Sequence, residues 1–91
     1  MARGNSIVVE TVSGIVGTQN AWRLADDGDG SATRHKVRLE IQGGRKTGYH
    51  LVIAPEGFFA ADHWYATQQD AIADAEALFG VSAEEWAPIE R

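Results

Sequence analysis

Between Thr33 and Gln42 the chain alternates, residue by residue, between side chains that tolerate burial and side chains that need water. His35, Val37, Leu39 and Ile41 fall on one side of an extended backbone; Arg34, Lys36, Arg38, Glu40 and Gln42 fall on the other. Successive side chains of a strand point to opposite faces, so this segment is predicted to have one face in a core and one in solvent. Such a half-wet strand belongs to an antiparallel sheet, because parallel strands are covered on both faces.

The neighbouring segments extend that sheet. Asn5 to Ser13 is rich in β-branched residues (Ile7, Val8, Val9, Thr11, Val12) and reads as a strand. Gly14 and Gly17 flank Ile15-Val16 and predict a bulge or a turn there. Ala21 to Ala25 reads as a second strand, with Trp22 and Leu24 on one face, and the polar run Asp26 to Ser31 as the turn after it. Gly43 to Gly48 closes a hairpin into Tyr49 to Ala54, where Tyr49, Leu51 and Ile53 point inward and His50 and Val52 outward. Pro55-Glu56-Gly57 ends that strand. Phe58 to Tyr65 admits two readings, a short fifth strand or an exposed aromatic loop.

Then the period changes. Ala71, Ile72, Ala75, Leu78 and Phe79 occupy one helical face. Thr67 is a suitable N-cap, Asp70 favours the positive end of the helix dipole, and Gly80 is a natural stop. Ser82 to Glu85 forms a capping box, with Val81 and Trp86 spaced as a hydrophobic staple, and Pro88 limits this second helix to a turn that folds Trp86 back. The expected fold is α+β: one domain over residues 1–91, a four- or five-stranded antiparallel meander, a helix at about 68–79 on one face, and a terminal helical turn at about 83–87. Its expected core is Trp22, Leu24, Val37, Leu39, Ile41, Leu51, Ile53, Ile72, Ala75, Leu78 and Phe79.

The chemistry the sequence offers is sparse. With no cysteine, disulfides, thiolate catalysis and cysteine-ligated metals are excluded. The run Asp26-Asp27-Gly28-Asp29-Gly30-Ser31 resembles part of a calcium loop. Aligning Asp27, Asp29 and Gly30 with that pattern, however, puts Ala25 at its first position and Lys36 where the bidentate glutamate belongs. His35, His50 and His63 have no local metal-ligand spacing. An enzyme reading needs His63, Asp62 and Tyr65 to converge in a pocket, and no nucleophile elbow or glycine-rich phosphate loop accompanies them. The expectation is therefore a non-enzymatic domain without metal or cofactor. No apolar run reaches the roughly 20 residues of a membrane span, and Met1 to Ile7 has no secretory-signal pattern, so a cytoplasmic protein without a membrane partner is expected.

Two surfaces are candidates for binding. Residues 1–46 carry a net charge of +2 and residues 47–91 a net charge of −7. Within the first half, Arg34, Lys36 and Arg38 form a stripe at intervals of about 6.6–7 Å, which the turn residues Arg45 and Lys46 are expected to extend. That stripe is a possible contact for nucleic acid or another anion. No aromatic interleaves with it, and the sequence pI near 5.0 argues against a dedicated nucleic-acid binder. The second surface is the aromatic cluster Phe58, Phe59, Trp64 and Tyr65, richer than one small core end requires. Together these favour a protein-interaction or accessory domain, homodimeric or bound to a protein partner, with nucleic-acid binding through the basic face as the alternative.

From Trp64 to Gly80 the chain reads W-x-x-T-x-x-x-A-x-x-x-A-x-x-x-F-G, followed by Trp86. This stretch, about a quarter of the chain, resembles small bacterial proteins of uncharacterised function that place such a helix after a sheet. The shared positions are caps and core residues. The resemblance implies a fold and no activity.

Overall fold

The alternating segment lies inside the sheet. In the computed structural model, which describes residues 6–25, 30 and 32–89, β3 (Thr33–Gly44) is flanked on both sides by antiparallel partners. One is β1 (Ile7–Thr18), with Val9 opposite Leu39; the other is β4 (Gly48–Pro55), with Leu39 opposite Ile53. β5 (Ala61–Tyr65) pairs with β4, so the open segment 58–65 divides into a three-residue loop and a strand. β2 (Ala21–Leu24) folds back on the last turn of β1, giving the sheet order β2-β1-β3-β4-β5. From β1 onward the sheet is a meander through β3, β4 and β5, with β2 as a hairpin arm on the far edge.

That arm explains two glycines. β1 runs unbroken through Gly14, where a bulge or turn was expected. Ala25, leaving β2, and Ala32, entering β3, both pack over Gly14; a Cβ there would lie 3.1 Å and 3.6 Å from theirs. The Ala25 N–H donates to the Gly14 carbonyl at 3.0 Å. Gly14 is thus a crossing point rather than a turn. Gly17 has φ +122, and a Cβ on it would stand 2.2 Å from the Ala21 carbonyl oxygen. Gly43 plays the same part in the β3–β4 hairpin, with φ +131 and 2.1 Å to the Gly48 carbonyl oxygen.

The helix, α1 (Gln68–Phe79), begins and ends where the caps place it. Thr67 Oγ1 accepts from the Asp70 N–H at 3.1 Å, and the left-handed Gly80 (φ 76) donates its N–H to Glu76 O at 2.8 Å. α1 lies across β3, β4 and β5. Its closest approach runs along Ala71 and Ala75, both fully buried, because small side chains let helix and sheet come together. Leu78, expected in the core, falls beside this line and is 44% exposed; Leu24 is half-buried. Val9, Ile15, Ala71 and Val81 join the core instead, with Val37, Leu39, Ile41, Leu51 and Ile53 at its centre.

The terminal helical turn is a single 3-10 turn, Ala83–Glu85, in which the Glu85 carboxylate accepts from the Ser82 N–H at 2.6 Å. Trp86 packs back against the core as expected. The chain then adds β6 (Ala87–Pro88) to the free side of β1, opposite Ile7 and Val8, so Ala87, expected in the helical turn, is in a strand instead. The polar run Asp26 to Asp29 and Ser31 lies outside the described residues, as do residues 1–5, Glu90 and Arg91. No helix among the described residues is long and apolar enough to cross a membrane.

The glycine geometry gives a direct test. Gly17→Ala and Gly43→Ala are each expected to lose more than about 1 kcal/mol of unfolding free energy, since both the backbone conformation and the space exclude a methyl group. Gly44→Ala, with nothing within 4 Å of its Cβ, is expected to stay within about 0.5 kcal/mol of the parent. Urea denaturation of the three variants measures this.

Candidate functional site

The inner face of the sheet is only partly roofed by α1, and β2 curls in over the remainder. Its tip is fastened to the loop after β4. The Phe59 N–H donates to Gln19 O at 2.9 Å, and Trp22 Nε1 donates to Phe59 O at 2.8 Å. Phe58 fills the space beneath, edge-on to Trp22 with centroids 6.3 Å apart and to His35 at 4.8 Å. His35 contacts Thr33 Oγ1 through Nε2 at 2.6 Å.

Between the β2 arm and the ends of β5 and α1 this curl leaves a groove of about 510 Å³. Ile53 belongs to its lining, with Trp22 and Leu24 from one side, Ala61 and His63 from another, and Phe59 and Leu78 at the rim. The volume lies in the range of pockets that hold small ligands or a few peptide side chains. Its lining is mainly apolar. His63, on the inner face opposite Leu51, supplies an exposed imidazole. Phe59 is 64% exposed although both its backbone polar groups are tied down. An aromatic ring held out to water by a fixed backbone needs little further ordering to bind.

The aromatic cluster expected from the sequence does not form one surface. Phe58 is half-buried under the arm, while Phe59 stands on the groove rim. Trp64 projects from the opposite, outer face of the sheet, 58% exposed. Its ring covers Gly48, where a Cβ would be 2.3 Å from Nε1, and Nε1 donates to Thr47 O at 3.1 Å. Tyr65 points inward, and its hydroxyl donates to the Asp74 carboxylate on α1. Burial first, and then this hydrogen bond and the negative charge of Asp74, push the Tyr65 hydroxyl up to about 12.

The convergence required for acid–base chemistry is not built. Strand alternation sends Asp62 to the outer face, where Oδ1 meets His50 Nδ1 at 2.9 Å, while His63 enters the groove and Tyr65 engages Asp74. Among the described residues no three of His, Asp or Glu gather as a metal site.

On the outer face, Arg34, Lys36 and Arg38 form the expected exposed stripe, opposite Gly14, Val12 and Glu10. Arg38 Nη2 lies 3.7 Å from Glu40 Oε1, so the stripe ends in mixed charge. Arg45 and Lys46 sit at the tip of the β3–β4 hairpin, seven positions from Arg38, about 23 Å along an extended strand. Glu40 and Gln42 intervene on the same face, hydrogen-bonded to each other at 2.8 Å. The turn cations therefore do not extend the stripe.

No family model, curated protein or solved structure matches this chain. The groove itself escaped sequence reasoning, because it depends on how far β2 curls. One signal was present. The apolar face of the helix holds five residues, the adjacent pairs Ala71-Ile72 and Leu78-Phe79 with Ala75 between them, and is wider than its contact line on the sheet.

Tyr65 makes the site's packing measurable through pH. Its folded-state value lies above the ordinary tyrosine value near 10, so the unfolded chain releases this proton first. The contribution is complete below pH of about 10 and is lost as pH rises towards about 12. Tyr65→Phe is expected to flatten this alkaline limb of the stability curve, measured by urea unfolding from pH 8 upward, and to cost about 1 kcal/mol at neutral pH.

Proposed function

We propose that this domain is a non-enzymatic interaction module that receives a bulky apolar segment of a partner protein in the groove between β2 and β5. The observation that carries this reading is Phe59. Its ring is exposed at the rim of an apolar groove while its backbone is fastened on both sides. Leu78 and Trp22 complete an apolar anchor site of the kind that dominates protein interfaces. Covering the exposed parts of Phe59 and Leu78 is worth on the order of 1–2 kcal/mol each. The reading includes a cytoplasmic setting, since a fold held together without cysteine needs no oxidising compartment.

Nucleic-acid binding through the outer face has less support. Three cations ending in a glutamate contact, with the hairpin cations far away and no stacking aromatic among them, make a weak track for a phosphate backbone.

Selection of random peptides displayed on phage separates the two readings. Enriched sequences are expected to carry large apolar side chains. Their affinity should fall at least about tenfold in Phe59→Asp and Leu78→Lys, a loss of about 1.4 kcal/mol. Replacing Arg34, Lys36 and Arg38 together by Ala should leave it unchanged. Salt-sensitive binding that depends on the three cations and ignores Phe59 would transfer the function to the outer face.

A further inference from the structure

We infer that two copies of this chain pair edge to edge through β5, antiparallel, with His63 on the two-fold axis. The pairing edge shares Ala61 and His63 with the groove wall, but the inference does not rest on the groove's contact with a partner.

β5 is an edge of the sheet. Among the described residues it pairs with β4 and with no strand on its other side. Edge strands usually carry charged side chains (lysine above all), a proline or a bulge that discourages pairing, and the one carboxylate of β5, Asp62, is engaged by His50. Ala61-Asp62-His63-Trp64-Tyr65 has no lysine and no proline, and its partners on β4 follow one another without a skipped residue. The other edge strand, β2, has only four residues, and its tip is fastened to Phe59. β5 is thus longer than β2 and open along its whole outer side, whereas the outer side of β1 is open only in the notch between β6 and β2.

The strand is also its own complement. Directly opposed residues of an antiparallel pair lie on the same face, so a continuous sheet requires inward residues to meet inward ones. Registers shifted by one would set the inward Tyr65 against a water-facing residue. Of the registers that remain, the one centred on His63 pairs all five residues. It sets Ala61 against Tyr65 of the second copy on the inner face, and Asp62 against Trp64 of the second copy on the outer face. On each face a small side chain meets a large one, and no two aromatic rings compete for the same space. The Asp62 carboxylate is already held by His50 at 2.9 Å, so pairing does not leave it without a partner.

Ala61 and His63 also line the groove, so Tyr65 of the second copy would arrive beside its mouth. Five residues of edge pairing make a small interface, at the low end of specific contacts. The association is therefore a concentration-dependent monomer–dimer equilibrium rather than an obligate dimer.

Sedimentation of the full chain from about 5 to about 500 µM tests this, a range that brackets weak association. The wild type is expected to pass from monomer to dimer. His63→Lys and His63→Glu, each alone, set like charges against each other on the axis and should weaken association at least about tenfold. An equimolar mixture of the two variants sets opposite charges there and should recover it. Circular dichroism and melting confirm that each variant is folded. Leu78→Lys, which obstructs the groove, should leave association unchanged. A wild type that stays monomeric throughout, a mixture that fails to recover, or a Leu78→Lys variant that no longer associates would each overturn the edge pairing. The last result would place the contact in the groove.

Discussion

Two hydrogen bonds to the backbone of Phe59 govern how the two ends of this sheet meet. Without them β2 is a four-residue arm with one neighbour, and a two-stranded hairpin end is marginal in water. With them, Trp22 is held over Phe58 and His35, the inner face acquires a second partial roof, and a groove remains where that roof fails to meet α1. Each net bond contributes only about 1 kcal/mol. Their larger effect is geometric, because they fix an exposed aromatic ring at the rim of an apolar groove.

The long strand β1 makes this arrangement possible. It pairs with β3 along most of its length, with β2 at one end and with β6 at the other. A chain leaving β2 must reach the far side of β1 to become β3, and it packs over Gly14 on the way. Gly14 is therefore a topological requirement, met in the middle of a strand rather than at its end. The C-terminal segment closes the opposite end, with the Ile89 N–H donating to Ser6 O at 3.0 Å.

Much of this was legible in the sequence because it depends on local periodicity. The alternation of Thr33 to Gln42 and the caps at Thr67 and Gly80 each follow from a few neighbouring residues, and the structure agrees with them. What local pattern could not supply was whatever depends on the meeting of distant segments. Leu78 belongs to the apolar face of its helix, yet it lies beside a contact line drawn by Ala71 and Ala75. Phe58 and Phe59 are adjacent and chemically identical, but one packs under the arm and the other faces solvent. Arg45 and Lys46 are close in sequence to the basic stripe, but they sit at the hairpin tip with Glu40 and Gln42 between. The candidate site is built from such encounters.

Backbone amide shift mapping during titration with a selected apolar peptide tests the central claim most directly. The account predicts perturbations confined to Asn20 to Leu24, Ile53, Phe59 to Ala61, His63 and the region of Leu78, the residues that line the groove. Perturbations centred on Arg34, Lys36 and Arg38 instead, with the groove residues unmoved, would contradict it.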